Sequence, residues 1–201
     1  GDTAWFVLPH EALAEPLPGR LGVREAAATW PALPASALAQ ARALVHWQLR
    51  NRHCGACGAA VVVGKAGYSA RCPGCGLDRS PRPDPAIIVA VSDGPRLLLG
   101  RQASWPPGRW SVLAGFVEPG ESLEQAIARE VMEEAAVPVH STCYSGSQPW
   151  PFPGSLMVGF HAVGEPVEPQ VSDELEQVRW FSKADIQAEV ARGELKLSPR
   201  L

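Results

Sequence analysis

Three glutamates in the second half of the chain, Glu130, Glu133 and Glu134, have a spacing that could bind a metal ion. At 3.6 residues per turn they fall within an arc of about 100° on one side of a helix. Like charges at these separations repel each other, so the pattern favours a cation between them. An all-oxygen ligand set suits Mg²⁺ or Mn²⁺, which also bind phosphate oxygens. The glutamates therefore predict a phosphate-bearing substrate, and a solvated acidic helix face is the alternative from these three residues alone.

The helix that must carry these glutamates has clear boundaries in the sequence. Ser122, with Gln125 three residues later, forms a capping-box pattern. Strong helix formers continue to Ala135, and Pro138 prevents a longer helix. The arc beside the glutamates is apolar and should pack against the core. It consists of Ile127, Val131 and Ala135.

Four cysteines upstream form two Cys-x-x-Cys pairs that are fourteen residues apart. Gly58 and Gly76 follow the pairs and allow turns in which backbone amides point at thiolate sulfurs. This spacing is typical of a tetrahedral zinc site, with paired disulfides as the alternative. Four thiolates leave no open position, so the zinc should be structural. The fifth cysteine, Cys143, is expected in the core. The predicted zinc ligands are Cys54, Cys57, Cys72 and Cys75.

Composition sets the general class of the protein. The chain has 201 residues and is 46% hydrophobic, which suits one medium domain with one or two small additions. It has neither an apolar run of membrane-spanning length nor a secretion signal, so we expect a cytoplasmic protein without a membrane partner. The chain up to Arg82 contains nine Lys and Arg residues and five Asp and Glu residues. The remainder contains nine basic and sixteen acidic residues. The mildly basic first part is only weak evidence for contact with RNA.

The first 52 residues contain no catalytic constellation. An apolar start at Trp5–Leu8 predicts a strand, and helical spacing predicts an amphipathic helix over Ser36–Arg50. His10 and His46 are expected to be ordinary surface or helix residues. This segment is interpreted as scaffold.

From Pro85 onward, apolar and alternating runs predict strands that surround the glutamate helix. A short helix opened by Ser182 should follow the last strand. The pattern predicts an α/β domain with a mixed sheet. The expected strands are Ala86–Val91, Arg96–Gly100, Trp110–Phe116, Leu156–Val163 and Val178–Phe181.

A proline–aromatic stretch, Ser147–Ser155, lies between the glutamate helix and the later strands. Its alternating prolines should exclude it from a sheet interior and hold an extended, stiff loop. From composition, a structural loop and a binding loop are equally compatible with it.

The stretch from Gly115 to Val137 resembles the signature of the Nudix hydrolases. It reads Gly, five residues, Glu, seven residues, Arg-Glu, an apolar residue, one residue, Glu-Glu. One position departs from the family pattern, since Ala136 stands where the family has Gly at the helix exit. The matching positions are Gly115, Glu121, Arg129, Glu130, Val131, Glu133, Glu134 and Val137.

Two further markers narrow the resemblance to the NADH pyrophosphatase branch of that family. The proline–aromatic stretch resembles the SQPWPFPxS element of the branch, and a four-cysteine zinc ribbon precedes it there as here. The resemblance covers Trp30 to about Leu197. It implies an α/β Nudix fold, a mixed sheet with flanking helices, preceded by a zinc ribbon and a small N-terminal α/β domain. The expected domains are residues 1–52, 53–80 and 81–201.

The resemblance also implies a divalent-metal site for Mg²⁺ or Mn²⁺. Glu134 or Glu133 is the expected general base, while Glu121 and Arg129 should hold the loop and the helix together. The implied metal ligands are the side chains of Glu130, Glu133, Glu134 and Glu174 and the backbone carbonyl of Ala114.

For the substrate, the resemblance implies that Phe116 stacks on the nicotinamide ring, with a core phenylalanine as the alternative. Ser80 stands where the family has a Tyr before Pro-Arg, and the sequence stops at Leu201, short of the family's adenine-contacting segment. If the natural protein also ends at this position, adenosine binding is expected to be weaker. The substrate loop matches Gln148, Pro149, Trp150, Pro151, Phe152, Pro153, Gly154 and Ser155.

The implied reaction is metal-dependent hydrolysis of NAD(H) to nicotinamide mononucleotide and AMP, with removal of NAD caps from RNA as a second activity. A homodimer is expected from the family. The alternative function is a nucleotide-binding sensor whose zinc ribbon binds a partner. Degenerate relatives of that kind lose part of the Arg-Glu and Glu-Glu pattern, which this chain retains.

Overall fold

A computed structural model describes residues 4–8, 19, 21–171 and 173–196. Contacts between Cα atoms divide the chain into two compact units. The first unit contains residues 1–83 together with the short segment Trp150–Gly154, and the second contains Asp84–Pro149 and Ser155–Pro199. No helix among the described residues is both long enough and apolar enough to cross a membrane.

In the first unit, two helices precede the cysteines: α1 (Val23–Thr29) and α2 (Ala32–Arg50). Helix α2 contains the expected helix but begins four residues earlier, after the N-cap Pro31. Pro34 then lies in the first turn, where a proline costs no intrahelical hydrogen bond. The sequence alone did not indicate helix α1.

The strand predicted at Trp5–Leu8 is wrong, because these residues are exposed and have no regular structure. The only regular elements among the described residues before Asn51 are therefore helices, and no strand of the α/β domain expected for residues 1–52 occurs among them. An apolar run forms a strand only where a neighbouring strand accepts its hydrogen bonds, and no strand in the described part of the chain pairs with Trp5–Leu8. His46 lies in helix α2, whereas His10 lies outside the described residues.

Three short strands follow: β1 (Val62–Gly64), β2 (Ser69–Arg71) and β3 (Asp78–Arg79). They form one antiparallel sheet in the order β1-β2-β3, with Val63 opposite Ala70 and Ala70 opposite Arg79. A single 3₁₀ turn connects β1 to β2. Cys72 and Cys75 lie in the turn between β2 and β3, whereas Cys54 and Cys57 lie before β1, in a turn closed by an isolated bridge between His53 and Ala60.

The second unit is built on a six-stranded sheet. Its path runs β7-β8-β4-β5-β9, and β6 pairs with β4. Strand β4 is parallel to β8 and antiparallel to β5 and β6, so the predicted mixed sheet is confirmed. The strands are β4 (Asp84–Ser92), β5 (Arg96–Arg101), β6 (Leu113–Phe116), β7 (Val139–Trp150), β8 (Ser155–Gly164) and β9 (Gln177–Ser182).

Two strand predictions need correction. Strand β6 begins at Leu113 rather than Trp110, since Ser111 makes only an isolated bridge to Gly100. Strand β7 was not predicted, and it includes the first residues of the proline–aromatic stretch, through Trp150. It lies at the edge of the sheet, where a proline removes no necessary ladder hydrogen bond. Cys143 lies in β7 and is exposed, so its predicted core position is wrong.

Helices α3 (Leu123–Ala135) and α4 (Lys183–Arg192) cover opposite faces of this sheet. Leu98 belongs to the core cluster that contains the apolar side of α3, and the next residue, Leu99, belongs to the cluster against α4. Successive strand residues point to opposite faces, which explains the division. Ser182 caps α4 as expected, accepting a hydrogen bond from the Asp185 amide at 3.1 Å.

The exit of α3 is the one position where the chain departs from the family signature. Ala136 adopts a left-handed conformation with φ of 54°, which glycine adopts without a steric cost from Cβ. We expect Ala136→Gly to raise the free energy of unfolding by about 1 kcal/mol, as measured by thermal unfolding. The matched control is Ala128→Gly, at an exposed site inside the same helix, which should lower stability by about 1 kcal/mol. If both substitutions lower the free energy of unfolding, the inference that Ala136 is strained is wrong.

Candidate metal and substrate sites

The helix that carries the glutamates is fixed at its start by the predicted capping box. The Gln125 amide donates to Ser122 Oγ at 3.2 Å, and the Ser122 amide donates to Gln125 Oε1 at 2.8 Å. Three residues of the apolar arc are completely buried against the sheet. The beginning of the helix and its rotation are therefore both determined locally by sequence. These buried residues are Ile127, Val131 and Ala135.

Gly115 allows the carboxylate of Glu130 to approach the backbone of β6. A Cβ atom at Gly115 would lie 1.9 Å from Glu130 Cδ, a separation that no side chain tolerates. Gly115 is paired with Ile87 of the neighbouring strand, so the backbone cannot move away cheaply. The glycine is needed here for close approach rather than for an unusual backbone conformation.

Arg129 ties the helix to the loop before it. Its Nε and Nη2 atoms donate to the two carboxylate oxygens of Glu121 at 2.6 and 2.9 Å. Nη2 also donates to the Phe116 carbonyl at 2.9 Å. This pairing lowers the pKa of Glu121 to about 2. The expected structural role of Glu121 and Arg129 is consistent with these contacts.

The same guanidinium also contacts two of the candidate metal ligands. Arg129 Nη1 lies 2.9 Å from Glu130 Oε1 and 3.0 Å from Glu133 Oε2. The side chain of Glu130 is 13% exposed, whereas that of Glu133 is 59% exposed. Burial raises the pKa of Glu130 although Arg129 acts against that change.

Glu134 differs from the other two glutamates because it is buried without a counterion among the described residues. It is 6% exposed, and its Oε2 atom has no hydrogen-bond partner in the described part of the chain. Burial raises its pKa to about 7, with further contributions from the charges of Glu130, Glu174 and Glu133. The arc pattern predicted a carboxylate presented at the surface, and the structure instead places it inside.

Glu174 and Ala114 are the remaining metal-ligand candidates. The charge of Glu174 acts on both Glu130 and Glu134, so the fold brings this distant part of the sequence into the same cluster. Ala114 lies in β6 opposite Ile88 and is exposed. The structure therefore places all five candidates on α3, on β6 or in the segment before β9.

The donor chemistry of these carboxylates suits a hard divalent cation, although among the described residues only the four cysteines form a group whose ligand atoms are close enough to share one ion. Burial and the charges of neighbouring carboxylates raise the pKa of Glu130 and of Glu134, and one buried oxygen atom has no partner within the described residues. A bound cation would favour the charged form of the carboxylates and would supply a partner for the buried oxygen atom, so it would offset both unfavourable features. Oxygen ligands alone suit Mg²⁺ or Mn²⁺ rather than a thiolate-seeking metal.

The four ribbon cysteines have a different donor chemistry and a closed geometry. Their sulfur atoms all lie within 4.8 Å of one another, with Sγ–Sγ distances of 3.6 Å for Cys54–Cys75 and 3.4 Å for Cys57–Cys72. A tetrahedron with Zn–S bonds of about 2.3 Å has edges of about 3.8 Å. The Ala56 amide points at Cys54 Sγ at 3.4 Å, as the glycine turns predicted. The arrangement fits a structural zinc ion.

The candidate substrate residues occupy both units. Phe116 is 58% exposed, which excludes the alternative of a core phenylalanine. Gln148 and Pro149 lie in β7 of the second unit, and Ser155 is the buried first residue of β8. The turn Trp150–Gly154 belongs to the first unit. The predicted single extended loop is thus a strand end followed by a turn.

A pocket of about 700 Å³ opens in the second unit, and none of the predicted site residues lines it. Four of its charged side chains pair with one another, Arg101 with Glu176 and Arg179 with Glu189 at 2.7 Å, and the fifth, Glu194, pairs with Arg192 outside the pocket. Because these charges are already compensated, the pocket does not indicate a ligand of defined chemistry.

Sequence reasoning missed the arginines that contact the turn. Arg42 Nε donates to the Pro151 carbonyl at 2.7 Å, across 109 residues of chain. The centre of the Arg24 guanidinium lies 4.2 Å from the centroid of the Phe152 ring. Neither arginine belongs to a recognisable motif, so no signal in the sequence indicated these contacts.

Comparison with known proteins supports the family. A model of the NUDIX domain matches residues 81–201, and a model of the NADH pyrophosphatase zinc ribbon domain matches residues 49–78. The crystal structure of a NUDIX hydrolase from Nitrosomonas europaea is similar, with a TM-score of 0.60 and 24% identity. The match covers 73% of this chain and 84% of that one. This similarity shows the fold alone.

Curated relatives carry a more specific name. The NAD-capped RNA hydrolase NudC of Stutzerimonas stutzeri is 46% identical over 148 residues, covering 73% of this chain and 53% of the relative. The protein of that name from Pseudomonas aeruginosa is 49% identical, covering 68% of this chain and 49% of the relative. The chain spans about half the length of the curated relatives it matches. Because the NUDIX model matches more than half of the chain and includes the whole glutamate helix, this chain belongs to the Nudix family.

Proposed function

We propose that this protein hydrolyses the pyrophosphate bond of NAD(H), giving nicotinamide mononucleotide and AMP. The observation that carries the proposal is the buried, uncompensated carboxylate of Glu134 within a cluster of carboxylates. Such a cluster is costly in the absence of a cation, and a cation there would attract a diphosphate. The zinc ribbon match and the names of the curated relatives support a nicotinamide dinucleotide as the substrate.

The proposed metal ligands are the four glutamates of the cluster, with the Ala114 carbonyl. A bound Mg²⁺ or Mn²⁺ would neutralise phosphate charge and orient a water molecule. Glu134 accepts the proton of the attacking water, with Glu133 as the second candidate for this role. The water oxygen bonds to one phosphorus atom, and the bond from that phosphorus to the bridging oxygen breaks. The four glutamates are Glu130, Glu133, Glu134 and Glu174.

The remaining residues bind the substrate in this proposal. Phe116 offers an exposed ring on which the nicotinamide stacks, as flat heterocycles do on aromatic side chains. The residues Gln148–Ser155 bind the rest of the dinucleotide, as the resemblance implies. The domain division at residues 52 and 80, the homodimer and the cytoplasmic location remain predictions from the sequence.

Removal of NAD caps from RNA is the second candidate function, and the names of the curated relatives favour it. It breaks the same bond in a substrate whose adenosine continues into an RNA chain. The binding-protein alternative is less well supported, because the Arg129 network and the complete glutamate set are both present. A sensor would not require a buried carboxylate in that cluster.

The direct test is product analysis with NADH. We expect the purified chain with Mn²⁺ to release AMP and nicotinamide mononucleotide from NADH faster than it cleaves ADP-ribose or a diadenosine polyphosphate. EDTA should abolish the reaction, because the carboxylate cluster then lacks its cation. Chromatography of the products measures all three substrates in parallel. Absence of cleavage of NADH and of NAD-capped RNA would contradict the proposal.

A second test addresses Glu134 itself. We expect Glu134→Gln to lower turnover by about two orders of magnitude, the scale of general-base loss, while zinc content and thermal unfolding remain close to those of the wild type. The matched control is Glu124→Gln, an exposed glutamate in the first turn of the same helix, which should retain activity. A fully active Glu134→Gln enzyme would show that this carboxylate is not the base.

A further inference from the structure

The turn between β7 and β8 is fastened to the two N-terminal helices by a pair of arginines. Residues Trp150–Gly154 group with helices α1 and α2 in the first unit, although the strands on both sides of the turn belong to the second. Arg24 lies in α1 and Arg42 in α2. The turn is therefore held by contacts that are distant in sequence rather than by its own strands.

Each arginine makes a specific contact with the turn. Arg42 donates from Nε to the Pro151 carbonyl at 2.7 Å, a hydrogen bond from a charged group. The guanidinium of Arg24 lies 4.2 Å from the Phe152 ring centroid and 5.6 Å from that of Trp150. The two rings pack edge to face, with centroids 5.2 Å apart. One cation thus contacts both aromatic side chains of the turn while the other fixes its backbone.

The two arginines have no competing partner among the described residues. Neither forms an ion pair there, whereas Arg96, Arg129 and Arg179 do. Pro151 is buried, and the prolines restrict the backbone on both sides of Phe152. The groups of the turn that these two arginines contact are the Pro151 carbonyl and the rings of Trp150 and Phe152. The turn is consequently held in one conformation before any ligand binds.

We propose that Arg24 and Arg42 are positioning residues that hold the Trp150–Gly154 turn in its substrate-binding conformation. They act through the turn and do not touch the dinucleotide. An ordered turn loses less conformational freedom when a ligand binds, so affinity rises without any new contact to the ligand. This inference rests on the proposed function, because it takes NAD(H) as the ligand of the turn.

The test compares the wild-type chain with the double variant Arg24→Ala/Arg42→Ala, with Arg42→Lys and with the control Arg50→Ala. Arg50 is an exposed arginine in the last turn of α2. NADH binding is measured by its fluorescence in EDTA, and turnover is measured by AMP release with Mn²⁺. The double variant should raise both Kd and KM by about tenfold, the scale of one hydrogen bond to a charged group. Its kcat should stay within about twofold of the wild-type value, because the lost interaction stabilises the bound substrate and the transition state equally.

Arg42→Lys keeps a charged donor and should bind NADH much more tightly than the double variant does, and Arg50→Ala should behave as the wild type. Zinc content and thermal unfolding of each variant confirm that it has folded. If the wild type cleaves NADH and the double variant binds it equally well, the positioning role is wrong and the proposed function stands. If the wild type neither binds nor cleaves NADH, the proposed function and this role are both wrong.

Discussion

The interaction on which the site depends is the set of hydrogen bonds from one guanidinium, that of Arg129. It binds both oxygens of Glu121 and the Phe116 carbonyl, and it also contacts Glu130 and Glu133 on its own helix. A planar guanidinium can hold several carboxylates at fixed angles, which a lysine cannot. Through this one side chain the loop before α3 and the carboxylates on α3 take up a defined arrangement.

This arrangement leaves the Glu134 carboxylate in an electrostatically unfavourable environment. This carboxylate is buried among like charges, and Arg129 does not reach it within the described structure. A group of this kind is unfavourable for stability alone, since an apolar residue of similar volume would pack there at less cost. The same features are favourable for a metal site, where a cation converts mutual repulsion into shared coordination. The structure is thus better explained by binding of a divalent ion than by folding.

The sequence predicted most of the second unit and the cysteine site of the first unit because their signals are local. The capping box at Ser122, the apolar arc of α3 and the cysteine spacing each depend on residues that are near one another in the chain. Predictions failed where distant contacts decide. Trp5–Leu8 has no strand partner among the residues that the structure describes, and Cys143 lies on an edge strand that the sequence did not predict because of its prolines. The burial of Glu134 was also missed, because an arc on a helix does not show how far the core extends around it.

Whether the glutamate cluster binds a divalent cation can be measured directly, without any assumption about the substrate. Mn²⁺ can be titrated into the wild-type chain and into a Glu130→Gln/Glu134→Gln variant, with free Mn²⁺ followed by electron paramagnetic resonance. Both proteins should first be shown to contain the same amount of zinc. If Glu130 and Glu134 bind the cation, the wild type should take up Mn²⁺ and the variant should take up much less. Equal uptake by the two proteins, or none by either, would contradict this binding.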